Sequence, residues 1–127
     1  MGNLFAHAVN LPGTYKKMAV SDEYLTYVVE QLECLGPVQS RRMFGGAGLY
    51  CEGLFFALVA DDVLYFKVDD SNRADYEAAG MGPFKPFPDK REVMQYYEVP
   101  IDAIENREIL RHWAAKALAV AKRKADR

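Results

Sequence analysis

Apolar residues recur at helical spacing in two stretches of the chain. Leu25, Val28, Val29, Leu32 and Leu35 form the first stripe. Ser21 stands where an N-cap belongs, and Asp22 and Glu23 suit the positive end of a helix dipole. Gly36-Pro37 ends the run, so the pattern predicts a helix over residues 22–35. Leu110, Trp113, Ala114, Ala117, Leu118 and Ala121 make the second stripe, with the tail from Lys122 to Arg127 expected to fray. Between them the period shortens. Segments 40–51, 54–60 and 63–69 are rich in Phe, Tyr, Val and Leu, and Glu52-Gly53 and Asp61-Asp62 separate them. This reads as a three-stranded antiparallel meander. A short helix capped by Asp70 or Ser71 follows through Ala79 and stops at Gly80. Residues 81–88 carry Pro83, Pro86 and Pro88, so they fit an edge strand or a shaped loop but not a central strand. Val93–Val99 is a strand closed by Pro100, and Asp102 is placed to cap a short turn over 102–105.

The order is therefore helix, three strands, helix, one or two strands, helix. It predicts an α+β fold, an antiparallel sheet of four to five strands with helices packed on one face. The 127 residues are the length of one domain, and no linker or repeat divides them. Residues 1–18 are expected to be a flexible N-terminal extension, 19–124 a single domain, and 125–127 a frayed tail. The start of the chain lacks the basic end and continuous apolar run of a signal peptide. Apolar residues make up 50% of the chain, including seven Phe, eight Tyr and one Trp, which excludes a disordered chain. No apolar run is long enough to cross a bilayer.

Charge sharpens this picture. The net formal charge of −2 argues against a general nucleic-acid coat. Its distribution is uneven. Residues 52–77 hold seven acidic side chains against two basic ones, and residues 107–127 hold seven basic against two acidic. A basic last helix carrying Lys116, Lys122, Arg123 and Lys124 could lie along a phosphate backbone, with Arg41 or Arg42 as a further contact. The plainer reading is a solvated helix face. Arg41 and Arg42, adjacent in a strand, must point to opposite faces.

Candidate chemistry is sparse. Cys34, Cys51, His7 and His112 match no zinc spacing, so no metal and no cofactor are expected, and the cysteines read as reduced and buried. Gly45-Gly46-Ala47-Gly48 lacks the third glycine of a dinucleotide fingerprint and precedes a strand, not a helix. A bulged strand under close packing is the better reading. No nucleophile stands near His112 in a known pattern and no paired-carboxylate motif is present, so catalysis is not expected.

Arg42-Met43-Phe44-Gly45-Gly46-Ala47-Gly48-Leu49-Tyr50 resembles the signature strand of the TfoX (Sxy) N-terminal domain family. The resemblance continues through Phe56 to Asp69, including Lys67, then Gly80-Met81-Gly82-Pro83-Phe84, Tyr96-Tyr97-Glu98-Val99-Pro100, and Trp113 to Leu118. It covers roughly residues 20–122. It implies a secretion-chaperone-like α+β fold of order α-β-β-β-α-β-β-α, in a bacterial cytoplasmic protein. The best-known members regulate natural competence and are thought to act with the cyclic-AMP receptor protein. Those members carry a further C-terminal domain, whereas this sequence ends at Arg127, so a stand-alone member is expected. The family has no established catalytic residues. The resemblance thus implies a regulatory module that contacts protein partners in transcription. Direct DNA binding through the basic helix is one alternative. The other is a small-ligand sensor with a pocket bordered by the Gly45–Gly48 strand and Phe84 or Tyr97. No membrane partner is expected, and the prolines at 83–88 blunt pairing of that edge with another chain.

Overall fold

Ser21 caps the first helix as its position predicts: its Oγ accepts from the Tyr24 N–H at 3.1 Å. That helix, α1 (Asp22–Gln31), buries Leu25 and Val28. The backbone then tightens into a 3-10 turn, Leu32–Cys34, before Gly36 at φ +139°. The helix expected over 22–35 is thus one α segment and a tighter turn, and Leu32 stays fully buried throughout. The computed structural model describes residues 19–43, 45–86 and 92–126. The expected N-terminal extension, Phe44, Phe87, Pro88 and Arg127 lie outside the described residues.

The run 40–51, expected as one strand, is two. β1 (Val38–Met43) and β2 (Gly46–Cys51) form a hairpin that reverses beside Gly45, whose φ of +82° suits only glycine without strain. The glycine cluster is therefore a turn and the strand leaving it. The bulge lies further on, between β2 and β3 (Leu54–Ala60). Leu49 faces Ala57 but Tyr50 faces Phe55, which leaves Phe56 as the extra residue. Phe56 enters the core against Phe66, with ring centres 5.9 Å apart. The turns at Glu52-Gly53 and Asp61-Asp62 hold both central residues at positive φ, as the right-handed twist of a two-residue hairpin demands. β4 (Val63–Lys67) completes the meander.

Helix α2 (Arg73–Ala78) follows. Neither Asp70 nor Ser71 caps it. Asn72 occupies the cap position, yet its side chain turns back to accept from the Asp69 N–H and donate to the Lys67 carbonyl. A two-residue edge strand, β5 (Pro83–Phe84), pairs with β6 (Val93–Glu98), which pairs with β4. The sheet thus has six antiparallel strands in the order β1-β2-β3-β4-β6-β5, larger than the four to five expected. Pro100, not Asp102, stands at the start of the short helix α3 (Ile101–Ile104). Helix α4 (Arg107–Ala125) is capped by Asn106, whose side-chain oxygen accepts from the Glu108 and Ile109 N–H groups. It runs through Lys122–Ala125 where fraying was expected.

All helices among the described residues pack on one face of the sheet. Leu25, Val28, Leu110 and Ala114 meet Leu49, Phe56, Leu64 and Phe66 in one core. The opposite face carries a second cluster, Ala60, Phe84 and Tyr96 with Phe55, Leu58 and Tyr65 around them, and no helical residue belongs to it.

Candidate functional site

The helix-free face is built by strand alternation. On β1, Arg41 and Arg42 point to opposite sides. Arg42 turns to the helical side, where it donates to the Val20 carbonyl and pairs with Asp22, fastening the start of α1 to β1. Arg41 turns to the open side, its guanidinium carbon 5.4 Å from the centre of the Tyr50 ring. Tyr50 stacks on Phe55 at 5.2 Å with 26° between the planes, and Phe55 leans on Tyr96 at 5.7 Å. The Lys67 ammonium lies 5.5 Å from the Phe55 ring and 5.7 Å from that of Tyr96. Beside them Tyr65 packs on Phe84 at 4.8 Å. A ring face attracts a cation through its quadrupole, by about 0.5–2 kcal/mol depending on desolvation. The result is an aromatic layer with rings on five strands, β2 to β6, held by two cations.

Gly48 makes room for the layer. A Cβ there would stand 2.7 Å from Met43 Cε and 2.9 Å from Phe55 Cε1, so these side chains lie on the strand only because position 48 has none. Burial, then the Tyr50 phenol, pushes the Tyr96 hydroxyl up to about 12. Burial, then Glu98 and Asp61, does the same for Tyr65. Burial, with Lys124 nearby, lowers the Lys67 ammonium. Both phenols therefore remain neutral hydrogen-bonding groups near neutral pH.

Several motif residues converge here: Met43, Gly48, Tyr50, Lys67 and Phe84. Others serve the frame. Gly45 makes the hairpin turn, Gly46 pairs with Met43, and Gly80 ends α2 at φ +79°. Pro83 pairs with Tyr97 across β5 and β6. Tyr97 faces the helices, packing on Tyr76 with its hydroxyl 3.4 Å from Glu77. Among the described residues the expected ligand pocket therefore does not form. Three strands separate β2 from β5, Met43 and Phe55 fill the space over Gly48, and Phe84 and Tyr97 occupy opposite faces. Sequence reasoning passed over Phe55, the centre of the layer. Its signal was the Phe55-Phe56 pair after a tight turn, one ring for each face.

The six basic residues singled out for nucleic acid do not form one patch. Arg41 and Arg42 are separated by the sheet. Along α4, Lys116 pairs with Asp75 at 2.7 Å, Lys122 with Glu52 at 3.2 Å, and Arg123 with Asp69 at 3.1 Å. Arg123 also donates to the Ser71 hydroxyl. Lys124 borders a cleft with Asp69 and Arg73. The acidic segment 52–77 and the basic segment 107–127 thus face each other within the molecule. Burial raises the Asp69 carboxyl, but hydrogen bonds from the Ser71 hydroxyl and amide and from Arg123 outweigh it and bring the group to about 2.

His112 borders a shallow cleft with Trp113, Asp75 and Lys116. Both cysteines are free thiols: Cys51 is buried as expected, whereas Cys34 is only half-buried and donates to the Gln31 carbonyl. Burial, then Glu52, pushes the Cys51 thiol up. Among the described residues no three His, Cys, Asp or Glu side chains are grouped to hold a metal ion. No helix among them is long and apolar enough to cross a membrane.

The six-stranded open sheet, with the described helices on one face and an aromatic layer on the other, defines an α+β domain. The sequence model of the TfoX N-terminal domain family matches residues 30–121, well over half of the chain, and the chain belongs to that family. Among curated proteins none matches it.

Proposed function

We propose that this protein is a regulatory interaction module, without catalysis of its own, that works through protein contacts in transcription. The observation that carries this reading is the convergence of Met43, Gly48, Tyr50, Lys67 and Phe84 on the sheet face that none of the described helices covers. The half-buried rings of Tyr50, Phe55 and Tyr65, backed by buried Tyr96 and Phe84 and flanked by two cations, are the composition of a protein-binding patch, in which aromatic and Arg anchors carry most of the energy. The family membership supports the same reading. Direct DNA binding by α4 draws less support, because Lys116, Lys122 and Arg123 are each engaged by a carboxylate of the same chain.

The test is binding of the purified protein to immobilised RNA polymerase and, separately, to the cyclic-AMP receptor protein. Each is repeated with Arg41→Glu and Tyr50→Ala. The expected result is saturable binding to one of them, weakened about tenfold or more by either substitution, with far-ultraviolet circular dichroism unchanged. Absence of binding to both, or binding indifferent to both substitutions, overturns the proposal. A salt series of fluorescence anisotropy with labelled duplex DNA separates the alternative: tight binding with a steep salt slope, lost on neutralising Lys122, Arg123 and Lys124, would replace protein contact by DNA contact.

A further inference from the structure

A groove lies on the helical side, at the end of the sheet where α1, the β3–β4 turn and α3 meet. Its volume is about 260 Å³, below the range of pockets that enclose drug-sized ligands. That is room for one or two side chains. Leu64, Val99 and Ile104 line it deepest, all of them buried. Tyr24, Tyr27 and Ile101 complete its apolar lining. Ile101 is 65% exposed and Tyr27 38%, two of the four exposed large apolar side chains among the described residues. Large apolar side chains left in water around a concavity are the mark of a contact surface.

The rest of the lining is acidic. Asp62, Glu98 and Glu105 border the groove. The Asp62 carboxylate accepts from the Ser21 N–H at 2.8 Å. Among the described residues none of the three is paired with a cation, whereas Glu52, Asp69, Asp70 and Asp75 all are. The negative field reaches the groove wall. Burial first, then Asp62, Tyr27 and Glu98, push the Tyr24 hydroxyl up to about 12, so it stays protonated.

From the apolar lining and the unpaired carboxylates we infer that this groove binds a segment of a partner protein in which Lys or Arg adjoins a large aliphatic or aromatic residue. The apolar side chain enters between Tyr27 and Ile101, and the cation meets Glu98 and Glu105. A phosphate or any other anionic ligand is excluded by the same carboxylates. The groove meets the helix-free face only where Glu98 stands beside Tyr65, and its apolar anchors, Tyr27 and Ile101, are distinct from Arg41 and Tyr50, so either proposal can fail alone.

The probe is a phage-displayed library of random heptapeptides, selected against the full chain. The expected result is enrichment of peptides with a basic residue beside Leu, Ile, Met or Phe. The best peptide, made synthetically, should shift the amide resonances of Tyr27, Ile101 and Glu105 and not those of Tyr50 or Phe55. Glu98→Gln with Glu105→Gln should weaken it about tenfold or more, and Ile101→Ser should do the same. Ile101 is exposed enough that this change leaves the core intact. Enrichment of neutral or acidic peptides overturns the inference, as does binding unaffected by the three substitutions. Concentration-dependent self-association, abolished by Ile101→Ser and unaccompanied by peptide binding, would assign the groove to a second copy of the chain and overturn it too.

Discussion

Two residues show how narrowly this packing is set. Gly48 has ordinary backbone angles, so its requirement is one of space and not of φ. Met43 can swing its terminal methyl away from a new Cβ, but the Phe55 ring is wedged between Tyr50 and Tyr96. Overpacking of this kind costs about 1–3 kcal/mol. Gly48→Ala should therefore lower Tm by several degrees, and adding Phe55→Leu should recover part of the loss. An unchanged Tm with Phe55 in place would mean the layer is looser than the distances imply. Tyr76 is the converse case. Its ring is fully buried, edge-on to Trp113 at 4.7 Å, yet its hydroxyl has no hydrogen-bond partner among the described residues. Burial, then Asp75, pushes its pKa far up. A buried, unmatched hydroxyl costs about 1–3 kcal/mol. Tyr76→Phe keeps the ring and removes that cost, so thermal unfolding should show an equal or higher Tm. A marked fall would reveal a partner for the hydroxyl, such as a bound water.

At the scale of elements, helix α4 is held by apolar burial and guided by charge. Each exposed ion pair along it adds about 0–1 kcal/mol at most, so Lys116, Lys122 and Arg123 set register more than stability. The Arg123–Asp69 contact carries a pH signature. Asp69 titrates near 2 in the folded protein against an ordinary 3.8. A depressed carboxyl stabilises the fold above its unfolded pKa, and that contribution fades as pH falls through the folded value. Arg123→Ala should raise the Asp69 pKa when followed by carboxylate NMR. The stability gap between wild type and variant should be widest above about pH 4 and close towards pH 2. A gap constant with pH would show that Ser71 alone holds the carboxylate. The complementary charge of segments 52–77 and 107–127 was visible in the sequence, but not that each answers the other. The helices were legible because their stripes repeat within one element. The β1–β2 hairpin was not, because its turn carries no polar residue: Gly45, Gly46 and Gly48 all interrupt the apolar run from Met43 to Tyr50, and glycine serves a bulge as readily as a turn. The six strands exceeded the expected count for that reason.

At the scale of the whole molecule, one-sided packing was legible and the aromatic layer was not. Alternation in β4 announced a wet face, but the layer joins Arg41, Tyr50, Phe55, Lys67 and Tyr96 from strands whose order only the fold fixes. The same order dictates where the molecule resists opening. β3 and β4 are central strands that carry Phe56, Leu64 and Phe66, all essentially inaccessible, and α4 packs across both. β5 is two residues at the sheet edge, joined to β6 through an irregular register. Local opening is cheapest where few apolar contacts break, and slowest where opening means global unfolding. Native-state hydrogen exchange should therefore rank the amides of Ala57, Leu58 and Val59 among the slowest, with a free energy equal to that of global unfolding. The amide of Phe84 should exchange far faster and with little dependence on denaturant. The first turn of α1 lies between these limits, since Arg42 from β1 and Asp62 from the β3–β4 turn fasten residues 20–22. Equal protection of β5 and β3 would show that the edge folds as one unit with the core. It would make the helix-free face equally rigid from centre to edge, removing the distinction between a fixed platform at Tyr50 and Phe55 and a yielding margin at Phe84.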